Sequence, residues 1–251
     1  MLISIITVCY NSALTIRDTF ESVLHQTYSD IDYIVIDGSS NDGTLSIINE
    51  YENKFIDRMR WISESDNSLY DAMNKGIIMA KGNIVGFLNS DDIFYNENVI
   101  EKVIDSFKKN ENVSALYANL YYVSYNDTSK IIRKWITGEQ KQFKTGWHPP
   151  HPTLYIKKDV YNRYGLFKLE YKLASDFEIM LRFIEKYKIY IIYLNEFLIK
   201  MRIGGKTNKS IYNIILQNIE ILKAFKNNKI SVNYLIYPIK RSLNKILQFK
   251  K

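Results

Sequence analysis

Four times in the first 110 residues a run rich in β-branched side chains is followed by a segment of helical period, and this alternation is the strongest constraint on the fold. Residues 2–8 (LISIITV) and 31–37 (IDYIVID) end in turn-forming polar residues; a third strand is expected at 59–63 and a fourth at 83–88. The first helix, from about Thr15 to Gln26, would put Ile16, Phe20, Val23 and Leu24 on one face, with Thr15 and Asp18 spaced as a capping box. The second carries Leu45, Ile47, Ile48 and Tyr51; the third, at about 69–81, starts behind a Ser68 and Asp71 box; a fourth uses Val99, Ile100, Val103, Ile104 and Phe107. Strands alternating with helices predict a mostly parallel Rossmann-type α/β sheet covered on both faces, because parallel neighbours need a crossover and the helices supply it. Ligands of such sheets lie beyond the strand carboxyl ends, so Tyr10 and Asn11, Asp37, residues 65–67, and Asp91 with Asp92 are expected on one rim.

From about 113 to 155 the pattern shifts to shorter alternating stretches and ends in the run Trp147-His148-Pro149-Pro150-His151-Pro152, where a second, more variable part of the site is expected. A helix at about 176–187 would start at Ser175 with Glu178 three residues on, followed by a strand at 189–194. Beyond Gly204 and Gly205 the chain reads as two helices, about 209–227 and 238–249, the second with Pro238 in its first turn. Charge separates this end from the rest. Residues 221–251 hold eight of the 34 basic residues and no Asp or Glu, leaving 26 basic against 27 acidic side chains before them. The net charge of +7 is therefore a property of the C-terminal segment, which argues against a nucleic-acid groove in the body. With Cys9 as the single cysteine there is no disulfide framework and no paired-thiol metal or redox motif. The apolar start lacks a basic flank and a cleavage site, and no stretch reaches the roughly 20 apolar residues of a spanning helix, so a cytoplasmic protein is expected.

Asp91 and Asp92 place two hard carboxylates in one loop, where repulsion is unfavourable unless a cation or donors offset it. Taken alone, Asp92 or Asn96 could equally start the next helix, and Asp37 could be a turn residue before Gly38. Read together, the segments Ser4 to Asn11, Ile34 to Thr44, Tyr70 to Gly76 and Phe87 to Asp92 match a known pattern in order and spacing. The chain resembles the family 2 glycosyltransferases over about residues 1–125, the nucleotide-sugar-binding half. Residues 126–205 match more loosely as the acceptor half, and 206–251 form a helical basic extension without a match.

The resemblance implies a GT-A fold and an inverting, metal-dependent transfer from a nucleoside-diphosphate sugar, a UDP-sugar, to a hydroxyl of a lipid-linked glycan in bacterial surface polysaccharide synthesis. By position it implies that Thr7, Tyr10 and Asn11 line the nucleoside pocket and that Asp37 accepts from the pyrimidine ring. Asp92 would be the more direct ligand of Mn²⁺ or Mg²⁺, with Asp91 toward the ribose and the metal shell. Asp176, in the segment Ala174-Ser175-Asp176-Phe177-Glu178, would be the catalytic base, with Glu178 structural. Two departures stand out. An arginine frequent in the third motif is Met73, so Lys75, Arg202 or Lys206 would have to meet the diphosphate; and Asp66 takes a position expected to touch base or ribose. His151 could line the acceptor pocket, although His148 and His151 packed against Trp147 is the plainer reading, and most of the 20 tyrosines should be core positions.

The last helix places Leu235, Ile236, Ile239, Leu243, Ile246 and Leu247 on one side and Arg241, Asn244, Lys245 and Gln248 on the other. That is the pattern of a helix lying on an anionic membrane surface, or else of one packed on the body with its basic side solvated. Sugar transfer to a polyprenyl phosphate, and a non-catalytic nucleotide-sugar-binding protein at the membrane, are the competing functions; intact Asp91, Asp92 and Asp176 speak against the second.

Overall fold

The computed structural model describes residues 1–204 and 210–247. Lys206 and Gln248, both considered above, lie outside the described residues. The strands β1 (Ile3–Cys9), β2 (Ile31–Asp37), β3 (Met59–Ser63) and β4 (Ile84–Phe87) run parallel in the order β3-β2-β1-β4. Every residue of β1 and β2 is buried, which is why these strands read as continuous apolar runs. Successive side chains divide between two cores as the period of two requires. Ile6, Val8, Ile34 and Ile36 meet α3 (Leu69–Met79), whereas Ile3, Ile5, Tyr33 and Val35 meet α1 (Ile16–Leu24), α2 (Thr44–Phe55) and α4 (Val99–Lys109). The α3 contact is close: a Cβ on Gly76 would lie 2.4 Å from Ile6 Cγ2.

Beyond β4 the sheet becomes partly antiparallel within the expected α/β fold. β5 (Ile93–Phe94), β6 (Ala115–Val123), β7 (Ile131–Trp135), β8 (Tyr155–Lys157) and β9 (Ile191–Arg202) complete the order β3-β2-β1-β4-β8-β6-β9-β5, with β7 on β6. β8 is antiparallel to both β4 and β6, β9 is parallel to β6, and β5 is antiparallel to β9. The chain returns from β6 through the β7 hairpin and a loop rather than through a crossover helix, so β8 enters in the opposite direction. After α5 (Lys158–Tyr164), the helix expected at 176–187 is α6 (Ser175–Met180) running on as a π-helical stretch, Leu181–Lys186.

Of the three expected capping boxes only the Ser68 cap forms, with the return bond taken one residue earlier. Ser68 Oγ accepts from Asp71 N–H at 3.2 Å, and Asp71 in turn accepts from Asn67 N–H at 3.0 Å. Thr15 instead donates to Ser90 O at 2.9 Å while Asp18 pairs with Arg202; Ser175 donates to Lys168 O at 2.8 Å while Glu178 turns inward to Arg182. Tertiary partners outcompeted the local geometry.

The C-terminal helices α7 (Ile211–Asn227) and α8 (Ile236–Leu247) pack on the second half of the body, residues 126–205. Ile221, Ala224 and Phe225 are buried, and Tyr237 meets Phe225 edge to face with 4.9 Å between ring centroids. Arg241 turns inward to Asn218 Oδ1 (3.0 Å) and Gln217 Oε1 (2.9 Å). The apolar side of α8 faces outward, with Ile239 61% and Leu243 53% exposed, beside exposed Tyr212, Ile215 and Ile219 on α7. Neither expected arrangement of the basic side describes Arg241, which is partly buried and held by side chains of α7. No helix among the described residues is long and apolar enough to cross a membrane.

Candidate active site

The loops after β1, β2, β3 and β4 do meet on one rim. A Cβ on Gly38 would lie 3.2 Å from Asp66 Oδ2 and 3.5 Å from Tyr10 Cδ2, so the β2 loop is packed closely between the other two. Asn11, with a φ of 51°, donates its N–H to Ser40 Oγ (2.8 Å) and accepts Asn41 N–H on Oδ1 (2.9 Å), stapling the first loop to the second. Ser12 Oγ and Ser90 Oγ, 2.9 Å apart, staple the first to the fourth. Tyr10 stands out from this rim, 59% exposed, as a ring available for stacking.

Two residues expected to line the pocket serve the framework. Thr7 is fully buried and its hydroxyl donates to Leu88 O at 2.8 Å while meeting Tyr33 OH at 2.9 Å; a strand covered on both faces leaves it no route to a ligand. Asp37 is also fully buried, and its oxygens already accept from Ser40 N–H (2.9 Å), Ser40 Oγ (2.5 Å) and Ser63 Oγ (2.7 Å). It organises the loop as placed. Cys9 is buried against it, and burial holds the thiol protonated. Asp66 is half-buried on the rim and pairs with Lys75 Nζ at 2.7 Å, and Lys75 also meets Glu64 at 2.8 Å. Those two carboxylates raise the Lys75 pKa and take up its charge, so Lys75 does not stand free for a diphosphate.

The two carboxylates after β4 differ in exposure. Asp92 is 1% exposed, accepting from Asn89 Nδ2 (2.8 Å) and Arg202 N–H (3.3 Å); burial first, and the neighbouring Asp91 second, push its pKa well up. Asp91 is partly exposed. Arg202, expected near the diphosphate, lies beneath this loop, donating to Asp91 O (2.7 Å) and Tyr125 O (3.0 Å) and pairing with Asp18. It clamps the loop instead of presenting a cation to a ligand.

Asp176 lies across from these loops in the first turn of α6, partly exposed. Its Oδ1 accepts from Phe177 N–H at 2.8 Å and from Tyr70 OH at 3.2 Å. Burial, reinforced by the nearby Asp176, keeps the Tyr70 phenol protonated and so a donor. Because Tyr70 follows the β3 loop, this hydrogen bond joins the two halves. His151 packs between Phe87 and Phe167, with ring centroids at 5.4 and 5.7 Å, and burial lowers its pKa. His148 packs against Trp135 (5.4 Å) and Phe177 (5.7 Å) rather than Trp147, and burial, with help from the Arg241 charge, takes its pKa down to about 4.

Sequence reading missed how the extension reaches this segment. Glu220 of α7 is buried and accepts from Lys172 N–H and Leu173 N–H, each at 2.8 Å, and Gln217 donates to Leu173 O at 3.3 Å. Glu220 is the one acid among the many apolar residues of α7, which was the available signal.

A parallel half with adjacent carboxylates on a carboxyl-end loop, joined to a mixed half, is the architecture of the GT-A glycosyltransferases that the chain superposes on. The chain belongs to glycosyl transferase family 2, whose family model matches residues 4–165. It is 29% identical over 187 residues to an uncharacterized glycosyltransferase of Mycobacterium tuberculosis, covering 72% of this chain and 68% of that protein. It is 25% identical over 186 residues to a PGL/p-HBAD biosynthesis glycosyltransferase of Mycobacterium bovis, covering 71% and 68%. Among solved structures, the S. aureus TarS 1-349 complex with UDP-GlcNAc superposes with a TM-score of 0.67 at 18% identity, covering 96% of this chain and 70% of that one. The mannosyltransferase PcManGT of Pyrobaculum calidifontis, in complex with GDP-Man and Mn²⁺, gives 0.66 at 17%, covering 96% and 68%. These likenesses establish the fold; the chain spans 43% of a longer TarS structure.

Proposed function

We propose that the protein transfers a sugar, with inversion, from a UDP-sugar to a hydroxyl of a lipid-linked glycan at the inner face of the cytoplasmic membrane. The observation that carries this reading is the Tyr70 to Asp176 hydrogen bond, which sets a carboxylate of the acceptor half against the rim formed by the four parallel-strand loops. Tyr10, Asn11 and Asp66 line the nucleoside side. Asp176 takes the acceptor hydroxyl proton: Oδ1 is held by Tyr70 and Phe177, which turns Oδ2 to the incoming oxygen. Attack comes from the face opposite the leaving diphosphate.

The donor set fits a divalent cation. Mg²⁺ and Mn²⁺ at phosphate sites commonly use one or two carboxylates with substrate oxygens, so the lack of a group of three or more metal-ligating side chains among the described residues is compatible with one. Partly exposed Asp91 would hold the ion, and buried Asp92, its carboxyl destabilised by Asp91, would back it. A bound cation supplies charge neutralisation to the departing diphosphate. UDP titrated with Mn²⁺ and without it is the test. Metal-dependent binding lost in Asp91→Ala supports the reading; absence of binding to the wild type under any nucleotide tried (UDP, GDP, dTDP) refutes it.

Membrane association belongs to the same proposal. The outward apolar faces of α7 and α8 lie among exposed Lys223, Lys226, Lys229 and Lys240, which matches an anionic bilayer in both polarity and charge. Deleting α8 would also remove the Tyr237 and Phe225 contact, so point changes are the cleaner test. Ile239→Gln with Leu243→Gln should abolish co-sedimentation with phosphatidylglycerol vesicles, and unchanged binding would refute the docking face.

A further inference from the structure

Asp176, His148, His151 and Arg241 are each partly open to solvent, and buried Tyr70 and Trp147 lie in the same region of the acceptor half. Three of these groups come from segments 148–176, whereas Arg241 arrives from α8, far outside the stretch that matches the family. Its partners are unusual for a guanidinium set into a protein. Arg182 meets Glu178, Arg202 meets Asp18 and Arg60 meets Asp32, but Arg241 is oriented by the amide oxygens of Gln217 and Asn218. Among the described residues no carboxylate lies within 4.0 Å of it. Amide oxygens fix the plane of the fork without cancelling its charge, and two of its five N–H groups suffice for them. A guanidinium held in plane by two amide oxygens, with N–H groups to spare and no carboxylate paired to it, is an arrangement that a phosphate completes.

We infer that Arg241 forms a phosphate-binding subsite on the acceptor side of the cleft, supplied by the C-terminal extension. The inference rests on the reading of the Asp176 side as the acceptor side. The phosphate belongs to a phosphate-bearing acceptor or to the donor diphosphate. In the first case the subsite is a specificity determinant: it places an acceptor hydroxyl near Asp176 by its neighbouring phosphate. The charge of Arg241 already acts on this region, adding to burial in holding His148 neutral.

The test is calorimetric titration of two probes, glycerol phosphate and UDP with Mg²⁺, into wild type, Arg241→Gln and Arg241→Lys. Glycerol phosphate is titrated both without UDP and at saturating UDP. If the acceptor supplies the phosphate, glycerol phosphate binds the UDP-loaded wild type and weakens at least about tenfold in Arg241→Gln, as expected for losing a charge-assisted pair. Arg241→Lys, which keeps the charge but not the fork, falls between, and UDP affinity stays within about twofold. If the donor supplies it, the same loss appears in UDP affinity instead. Equal affinities of wild type and both folded variants for both probes overturn the subsite. Failure of wild type to bind UDP refutes the nucleotide-sugar reading alone, since glycerol phosphate titrated without UDP still reports on Arg241.

Discussion

Glu178→Gln separates the framework of the acceptor half from its chemistry. The Glu178 carboxylate takes Arg182 Nε at 3.1 and 3.2 Å and Nη2 at 3.1 Å, Lys168 Nζ at 3.2 Å and Asn228 Nδ2 at 3.1 Å, and both members of the central pair are at most 5% exposed. Removing one partner of such a pair typically costs about 3–5 kcal/mol, because the other charge stays buried and uncompensated. Glutamine keeps an acceptor oxygen, and Arg182 retains the carbonyls of Tyr164, Gly165 and Leu166, which places the expected loss at the lower end, about 3 kcal/mol. For a domain of this size that corresponds to a fall in Tm of about 6–12 °C. Urea unfolding should show a lower midpoint at unchanged m-value. UDP affinity, measured well below the midpoint, should match the wild type, since Glu178 faces Arg182 and not the rim. A loss under about 1 kcal/mol would show that the pair is readily replaced by water and refute this account of the acceptor half.

Asp176→Asn should cut turnover by about 100-fold or more while leaving the UDP dissociation constant unchanged, as steady-state kinetics beside titration will show. Gly76→Ala should destabilise by about 1–3 kcal/mol in denaturant unfolding, because the new Cβ meets Ile6 at 2.4 Å inside the α3 contact. His148 is neutral in the folded chain down to a pKa of about 4 but takes up a proton near 6.5 when unfolded, so the unfolded state binds more protons between those values. Stability should therefore fall as pH drops from about 6.5 toward about 4, and His148→Gln should flatten that slope in pH-dependent unfolding.

The parallel half was legible because each of its strands carries its own signal: β1 and β2 are continuous β-branched runs, and the polar residues that end them fall on the rim. The rest depends on partners distant in sequence. β9 was read as ending at 194, since Asn195 and Glu196 interrupt its apolar run; pairing with β6 and β5 carries it on to Arg202. Thr15 with Asp18, and Ser175 with Glu178, have capping spacing, yet Arg202 and Arg182 claim the acids. Thr7 has the expected position in its motif, but its hydroxyl is engaged by Leu88 O, a partner 81 residues away that the motif does not reveal. In α8 the two sides were visible in the sequence, but a helical wheel does not say which side the body receives, and it received Tyr237 and Arg241.

The clamp made by Arg202 bears on any attempt to exchange acceptor halves between relatives. Residue 202 closes the second half, yet its side chain holds Asp18 and Asp91 of the first, and β5 of the first half is hydrogen-bonded to β9 of the second. A chimaera cut at about residue 125 would leave the carboxylate loop resting on a foreign strand. Grafts that retain 191–202 with the recipient's nucleotide-binding half keep that foundation, so the workable seam for recombination runs through the loops between β6 and β9 rather than along the motif boundary.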